Sequence, residues 1–155
     1  MNIILMRHGE AVPFAPNDGD RVLTPNGKGE ASNTGTQLKK AGWIPQTVFC
    51  STRIRAQQTS ELVIRALGLA IKPQVLQGIT PEDDWAEAVV IIEQHAANQG
   101  LFVFHQPILT HIIGHLTEAD ANADVHPRAA PATAYVLALE TFLPGAATLV
   151  GAYQP

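Results

Sequence analysis

The chain has 155 residues, of which 46% are hydrophobic and 15% charged, and its formal net charge is -4. That length suits one compact unit able to bury about 70% of its unfolded surface, and the composition excludes an intrinsically disordered chain. Negative net charge removes any general electrostatic hold on nucleic acid or anionic membrane, so a grip on phosphate would need a few arginines placed locally. Cys50 is the single cysteine and cannot form an internal disulfide. No apolar run reaches 18 residues and no leader pattern precedes the first elements, so the expectation is a cytoplasmic protein without a membrane span. No repeat, low-complexity linker or charge block divides the sequence, and 1–155 reads as a single domain.

Asn2 to Met6 is a short, continuous apolar run, the pattern of a strand buried on both faces, and it stops at Arg7-His8-Gly9. A polar, proline-rich loop follows to about Leu23. Thr24-Pro25 reads as an N-cap with proline at the first helical position, opening a helix to about Ala41-Gly42. Val48 to Cys50 is a second buried strand ending at Ser51. Ile54, Val63, Ala66 and Leu67 then mark one apolar helical face, with Gly68 as the stop. An extended piece, Ile71 to Leu76, leads to Thr80-Pro81-Glu82-Asp83, which predicts a helix capped at Thr80 and running to about Ala97. Leu101 to Phe104 is a further buried strand, broken by His105-Gln106-Pro107 before a helix carrying Ile108, Leu109, Ile112, Ile113 and Leu116. Ala134 to Leu139 and Ala147 to Tyr153 are two more strand-like segments. Strands alternating with helices of this length predict a three-layer α/β sandwich with a mostly parallel central sheet, because parallel neighbours need helical crossovers.

Ligands of such sheets bind at the carboxyl ends of the strands. Three strands end there in unusual residues: Arg7-His8-Gly9, the segment Ser51 to Arg55, and His105. Two histidines and two arginines converging on one cleft suit a phosphoryl dianion. Guanidinium forks pair its oxygens, and a neutral imidazole can attack phosphorus.

Arg7-His8-Gly9 after an N-terminal strand, Ser51-x-x-x-Arg55-Ala56-x-Gln58-Thr59 further on, and His105-x-Pro107 after a late strand together resemble the histidine phosphatase superfamily, with its phosphoglycerate mutase-like fold. The short length and Leu23-Thr24-Pro25-Asn26-Gly27 resemble its small SixA-type branch of phosphohistidine phosphatases. The resemblance runs from Met1 to about Leu116. It implies that His8 is the nucleophile that becomes phosphorylated. It also implies that Arg7, Arg55 and His105 bind the phosphoryl group and stabilise its transition state without metal or cofactor. Arg21 matches an arginine of the small branch that reaches toward the same pocket. The implied partner is a phosphohistidine-bearing protein, a phosphotransfer domain or phosphocarrier, with inorganic phosphate as product. Protonated His105 beside phosphate is expected to carry part of the charge.

Competing readings accompany these residues: Arg7 and His8 could merely solubilise a strand end. Arg55 could pair with Glu61 on the surface, and Arg53 is expected on the solvated side of its turn. Arg21 could be an ordinary loop cation. His111 and His115, at i and i+4, could share a metal, but no H-E-x-x-H pattern accompanies them, and a structural or surface role is favoured. His95 and His126 carry no context and read as solvated. Relatives of the small branch often carry a glutamate where this chain has Gly78, so either Asp83 or Asp84 substitutes from the next turn or the reaction needs little acid assistance. Glu82, Asp83 and Asp84 otherwise read as first-turn acids placed by the helix dipole. Two rival functions remain at this level: a small-molecule phosphomonoesterase of the same fold, and a non-catalytic phosphate-binding regulatory module.

Overall fold

The computed structural model describes residues 1–118 and 129–155. In chain order it comprises β1 (Asn2–Arg7), a 3-10 turn (Asp18–Asp20), α1 (Pro25–Lys40), β2 (Val48–Ser51), α2 (Ile54–Leu67), β3 (Gln74–Leu76), α3 (Trp85–His95), β4 (Gly100–Phe104), α4 (Ile108–Glu118), β5 (Ala134–Leu139) and β6 (Ala147–Tyr153). The six strands form one sheet in the order β3-β2-β4-β1-β5-β6. β1, β2, β3 and β4 run parallel, whereas β5 and β6 add two antiparallel pairings at one side. The sheet is therefore mostly parallel and mixed.

Alternation along the central strands divides the core into two layers. Ile3, Leu5, Phe102 and Phe104 face α3 and α4, together with Ile92, Ile108, Leu109 and Ile112. Ile4, Met6, Leu101 and Val103 face the other way, onto Ala31 and Leu38 of α1 and Val63 and Leu67 of α2. Because both faces of β1 and β4 are covered, their sequences are continuously apolar. No described helix is long and apolar enough to cross a membrane.

Two helix boundaries follow from local capping. The Thr24 hydroxyl accepts from the Gly27 N–H, with Pro25 at the start of α1. Gly68 closes α2 at φ 74°, the left-handed conformation in which a side chain is strained. The helix expected from Thr80 begins instead at Trp85. Asp84 is its N-cap, accepting from Ala86 N–H and Glu87 N–H, while Asp83 accepts from both the N–H and the hydroxyl of Thr80 and holds 80–83 as a separate turn. Competition among adjacent capping residues decides that boundary.

The apolar face expected of α2 is also shifted. Its buried residues are Arg55, Ala56, Thr59, Ser60, Val63, Ile64 and Leu67. In its first two turns Arg55 reaches the cleft, Thr59 meets the Gly9 N–H and the Arg55 carbonyl, and Ser60 bonds the Ala56 carbonyl, which apolar spacing alone does not reveal.

Candidate active site

β1 ends at the carboxyl edge of the sheet, where its last residues are tied on both sides. The His8 N–H donates to Phe104 O, the Arg7 N–H to Thr133 O, and the His8 carbonyl accepts from Ala132 N–H. Gly9 then turns away, its N–H donating to Thr59 Oγ1 at 3.0 Å. The Thr59 hydroxyl in turn donates a hydrogen bond to the Arg55 carbonyl. A Cβ on Gly9 would lie 2.6 Å from Gly27 O, and one on Gly27 would lie 2.0 Å from Glu10 O. The two glycines let the start of α1 rest directly on the Arg-His-Gly turn.

A cleft of about 260 Å³ opens above this edge, lined by Arg7, His8, Asp18, Arg21, Arg55, Pro81, Glu82, His105 and Gln106. The structure thus brings Arg7, His8, Arg21, Arg55 and His105 to one place from four separate segments. His8 is 8% exposed, and its Nδ1 lies 2.7 Å from Gly9 O. A carbonyl can only accept, so Nδ1 carries the proton and Nε2 keeps its lone pair. Burial, followed in smaller part by the charges of Arg55, Arg7 and Arg21, pushes the His8 pKa down to about 4. The ring is neutral at physiological pH.

His105 lies 5.0 Å from His8 between ring centroids and is 1% exposed. Its Nε2 is 2.5 Å from Ser51 Oγ, which also accepts from Arg53 N–H. The hydroxyl can donate to Nε2 while accepting from Arg53 N–H, an arrangement that puts the neutral ring's proton on Nδ1. That Nδ1 is buried with no partner among the described residues. Burial first, then the neighbouring cationic groups, lowers the His105 pKa to about 2. The protonated His105 expected from sequence concerns the ring beside a bound phosphate; burial and the neighbouring cations by themselves favour the neutral ring. A neutral Nδ1–H can still donate to an oxyanion.

Arg55 pairs with Asp18, not with Glu61. Its Nη1 donates to Asp18 O at 3.0 Å and its Nη2 to Asp18 Oδ2 at 3.2 Å. Arg21 donates from Nη1 to Asp18 Oδ1 and from Nε to Val12 O, which settles it beside the cleft. Arg7 donates from Nη1 to Ala129 O at 2.6 Å. Arg53, expected in solvent, instead forms a 2.6 Å pair with Glu82.

Asp83 and Asp84 are absent from the cleft lining, and both carboxylates are taken up by backbone caps. Of the three consecutive acids, Glu82 is the one that lines the cleft beside Asp18, and hydrogen bonding from Arg53 holds its carboxyl below the usual range. Gly78 adopts φ 83°, and a Cβ there would meet Ile91 Cδ1 at 2.3 Å, so the position is committed to a tight turn.

The other described histidines lie apart from this cleft. His111 and His115 flank Trp85, with ring centroids 6.5 and 5.1 Å from it, and His95 sits edge-on to Phe49. Among the described residues no group of three His, Cys, Asp or Glu side chains is placed to hold a metal. His126 lies outside the described residues. Cys50 is buried, and burial pushes its thiol to about 11, so it stays protonated.

Sequence reasoning passed over Asp18, and it quoted Ser51, Gln58 and Thr59 only as motif letters. Each has a definite place: Ser51 on His105, Gln58 Oε1 on Leu23 N–H, Thr59 on Gly9 N–H. Their burial appears only in the structure, where Ser51 and Thr59 are fully covered, Gln58 is half-buried and Asp18 is exposed.

Residues 3–80 match the histidine phosphatase superfamily (branch 1). The chain belongs to that superfamily. It is 32% identical over 120 residues to the phosphohistidine phosphatase SixA of Escherichia coli K12, spanning 75% of this chain and 74% of that protein. A shorter stretch of 66 residues is 36% identical to the mitochondrial serine/threonine-protein phosphatase Pgam5 of Drosophila melanogaster, covering 43% of this chain and 23% of that one. The solved structure of the protein histidine phosphatase SixA complexed with tungstate superposes with a TM-score of 0.81 at 26% identity, over 100% of this chain and 97% of the other. Membership of this superfamily makes the chain a hydrolase of the phosphatase class.

Proposed function

We propose that this histidine phosphatase removes phosphate from phosphohistidine on a partner protein, with His8 as the nucleophile. The observation that carries the reading is a buried, neutral His8, whose Nδ1–H is held by Gly9 O and whose Nε2 is free to attack, in a cleft that also holds Arg7, Arg21 and Arg55. Nε2 forms a bond to phosphorus as the bond from phosphorus to the substrate imidazole nitrogen breaks, and that nitrogen takes a proton from solvent. Water then attacks phosphorus, the bond to His8 breaks, and phosphate leaves. Arg7, Arg21 and Arg55 supply positive charge where it develops, and His105 donates Nδ1–H to a phosphoryl oxygen. These fixed cations perform the task that a metal clamp performs at many phosphoryl-transfer sites.

The choice of phosphohistidine rests on the acids. Asp83 and Asp84 are spent on caps, Glu82 is held ionised against Arg53, and Gly78 has no side chain. An alkoxide leaving group needs a proton in the transition state, help worth about 10²–10⁴ in rate, whereas imidazole departs with far less. The similarity to SixA of Escherichia coli supports the same choice. The test is to incubate the protein with a phosphorylated phosphotransfer domain and trap the intermediate. Acid-labile, base-stable phosphate should map to His8 and vanish in His8→Ala. Phosphate recovered on His105, or efficient turnover only of small phosphate esters, would overturn the assignment.

A further inference from the structure

We infer that Asp18 is a positioning residue for phosphoryl transfer, gripping the end of the Arg55 guanidinium so that its side edge faces the phosphoryl oxygens; this rests on the reading of Arg55 as a phosphoryl ligand. An arginine side chain carries five N–H donors in a planar fork. Arg55 spends one from each terminal nitrogen on Asp18, through its carbonyl and its Oδ2. Its Nε is buried and meets no partner among the described residues. The donors left over include Nε–H and the terminal N–H beside it, which together form the side edge of the fork. That edge matches two oxygens of a phosphoryl group.

The local sequence explains how a loop residue can do this. Asn17 caps the 3-10 turn Asp18–Asp20 through its side chain, fixing the backbone that presents both Asp18 acceptors. The carboxylate is divided, with Oδ1 toward Arg21 and Oδ2 toward Arg55. One anion thus holds two guanidinium groups that would otherwise repel each other inside the cleft. The Arg55 side chain is only 4% exposed, so no solvent shell could restore its orientation if the clamp were lost.

A carboxylate in an anion-binding cleft could instead be a plug that substrate must displace. The two arrangements predict opposite signs for phosphate affinity. Asp18→Ala, Asp18→Asn, Arg55→Ala and the double variant Asp18→Ala/Arg55→Ala should be compared by calorimetric titration with inorganic phosphate and by p-nitrophenyl phosphate turnover. Misplacing a charge-stabilising group costs on the order of 10²-fold in rate. Asp18→Ala should therefore lose about that factor in kcat and bind phosphate more weakly, and Asp18→Asn, which keeps an oxygen acceptor, should recover part of the loss. The deciding readout is coupling. If Asp18 acts through Arg55, the loss in the double variant should fall well short of the product of the two single losses, Asp18's separate hold on Arg21 accounting for what remains. Independent, multiplying losses would overturn the inference, as would tighter phosphate binding by Asp18→Ala, which would identify the plug. Should Asp18→Ala fail to fold, the same cycle with Asp18→Asn decides. Phosphate affinity does not depend on which substrate is natural. A wild type inert toward phosphohistidine would therefore sink the proposed function while leaving the coupling between Asp18 and Arg55 to be measured.

Discussion

Burying two neutral imidazoles side by side makes the protein acid-sensitive in a window that can be calculated. Unfolded histidine titrates near 6.5. In the folded chain the His8 pKa is about 4 and that of His105 about 2. Between those limits the unfolded state binds more protons than the native one, so stability rises with pH and falls on acidification through 6.5. Each full proton difference contributes about 1.4 kcal/mol per pH unit, and because unfolded histidine is only partly protonated at pH 6 the pair should give about 2.4 kcal/mol between pH 6 and 5. Going from pH 7 to pH 5 costs about 2 kcal/mol for each ring and about 4 for both, a large share of the 5–15 kcal/mol typical of a domain. The depressed carboxyls of Asp18 and Glu82 act in the same direction but lower, as pH falls through about 4 and below. Urea unfolding at pH 7, 6 and 5 measures the slope, and His105→Asn should remove about half of it. An unchanged slope in that variant would show that the buried ring is not what the acid attacks.

Arg55→Lys should fail almost as badly as Arg55→Ala, by about 10²–10³ in rate, because an ammonium cannot reproduce a planar fork; Arg53→Ala, which loses a pair with the exposed Glu82, should cost far less in the same steady-state assay. Phosphohistidine should be hydrolysed efficiently, p-nitrophenyl phosphate detectably and 3-phosphoglycerate poorly. If Glu82→Gln abolished turnover of an alkyl ester, Glu82 would be its general acid after all. Turnover should persist in EDTA, and loss on chelation restored by zinc would revive a metal role for His111 and His115. Gly27→Ala places a Cβ 2.0 Å from Glu10 O and should cost about 1–3 kcal/mol or more in thermal unfolding. Gly29→Ala, with nothing within 4 Å, should stabilise α1 by about 0.5–1 kcal/mol. Equal effects at the two glycines would contradict the close approach of α1 to the Arg-His-Gly turn.

Several features were legible from residues alone because their causes are local. Continuous apolar runs marked β1 and β4, since a strand covered on both faces has no polar side to show. Thr24-Pro25 and Gly68 bounded their helices through contacts within a few residues. The alternation of strands and helices placed Arg7-His8, Arg55 and His105 at one edge of the sheet before any distance was known. Other features depended on groups far apart in sequence. Asp18 meets Arg55 across 37 positions, and Ser51 meets His105 across 54. Neither contact has a periodicity or a short spacing that could announce it. The polar inner face of α2 is hidden for the same reason: what a helix buries depends on what lies opposite, and opposite Arg55 lies the cleft and opposite Thr59 the Gly9 N–H. The start of α3 turned on which of two adjacent aspartates captured which backbone donors. The protonation of His105 is the plainest case, since an imidazole's charge follows from its burial and its neighbours, and both exist only once the chain is folded.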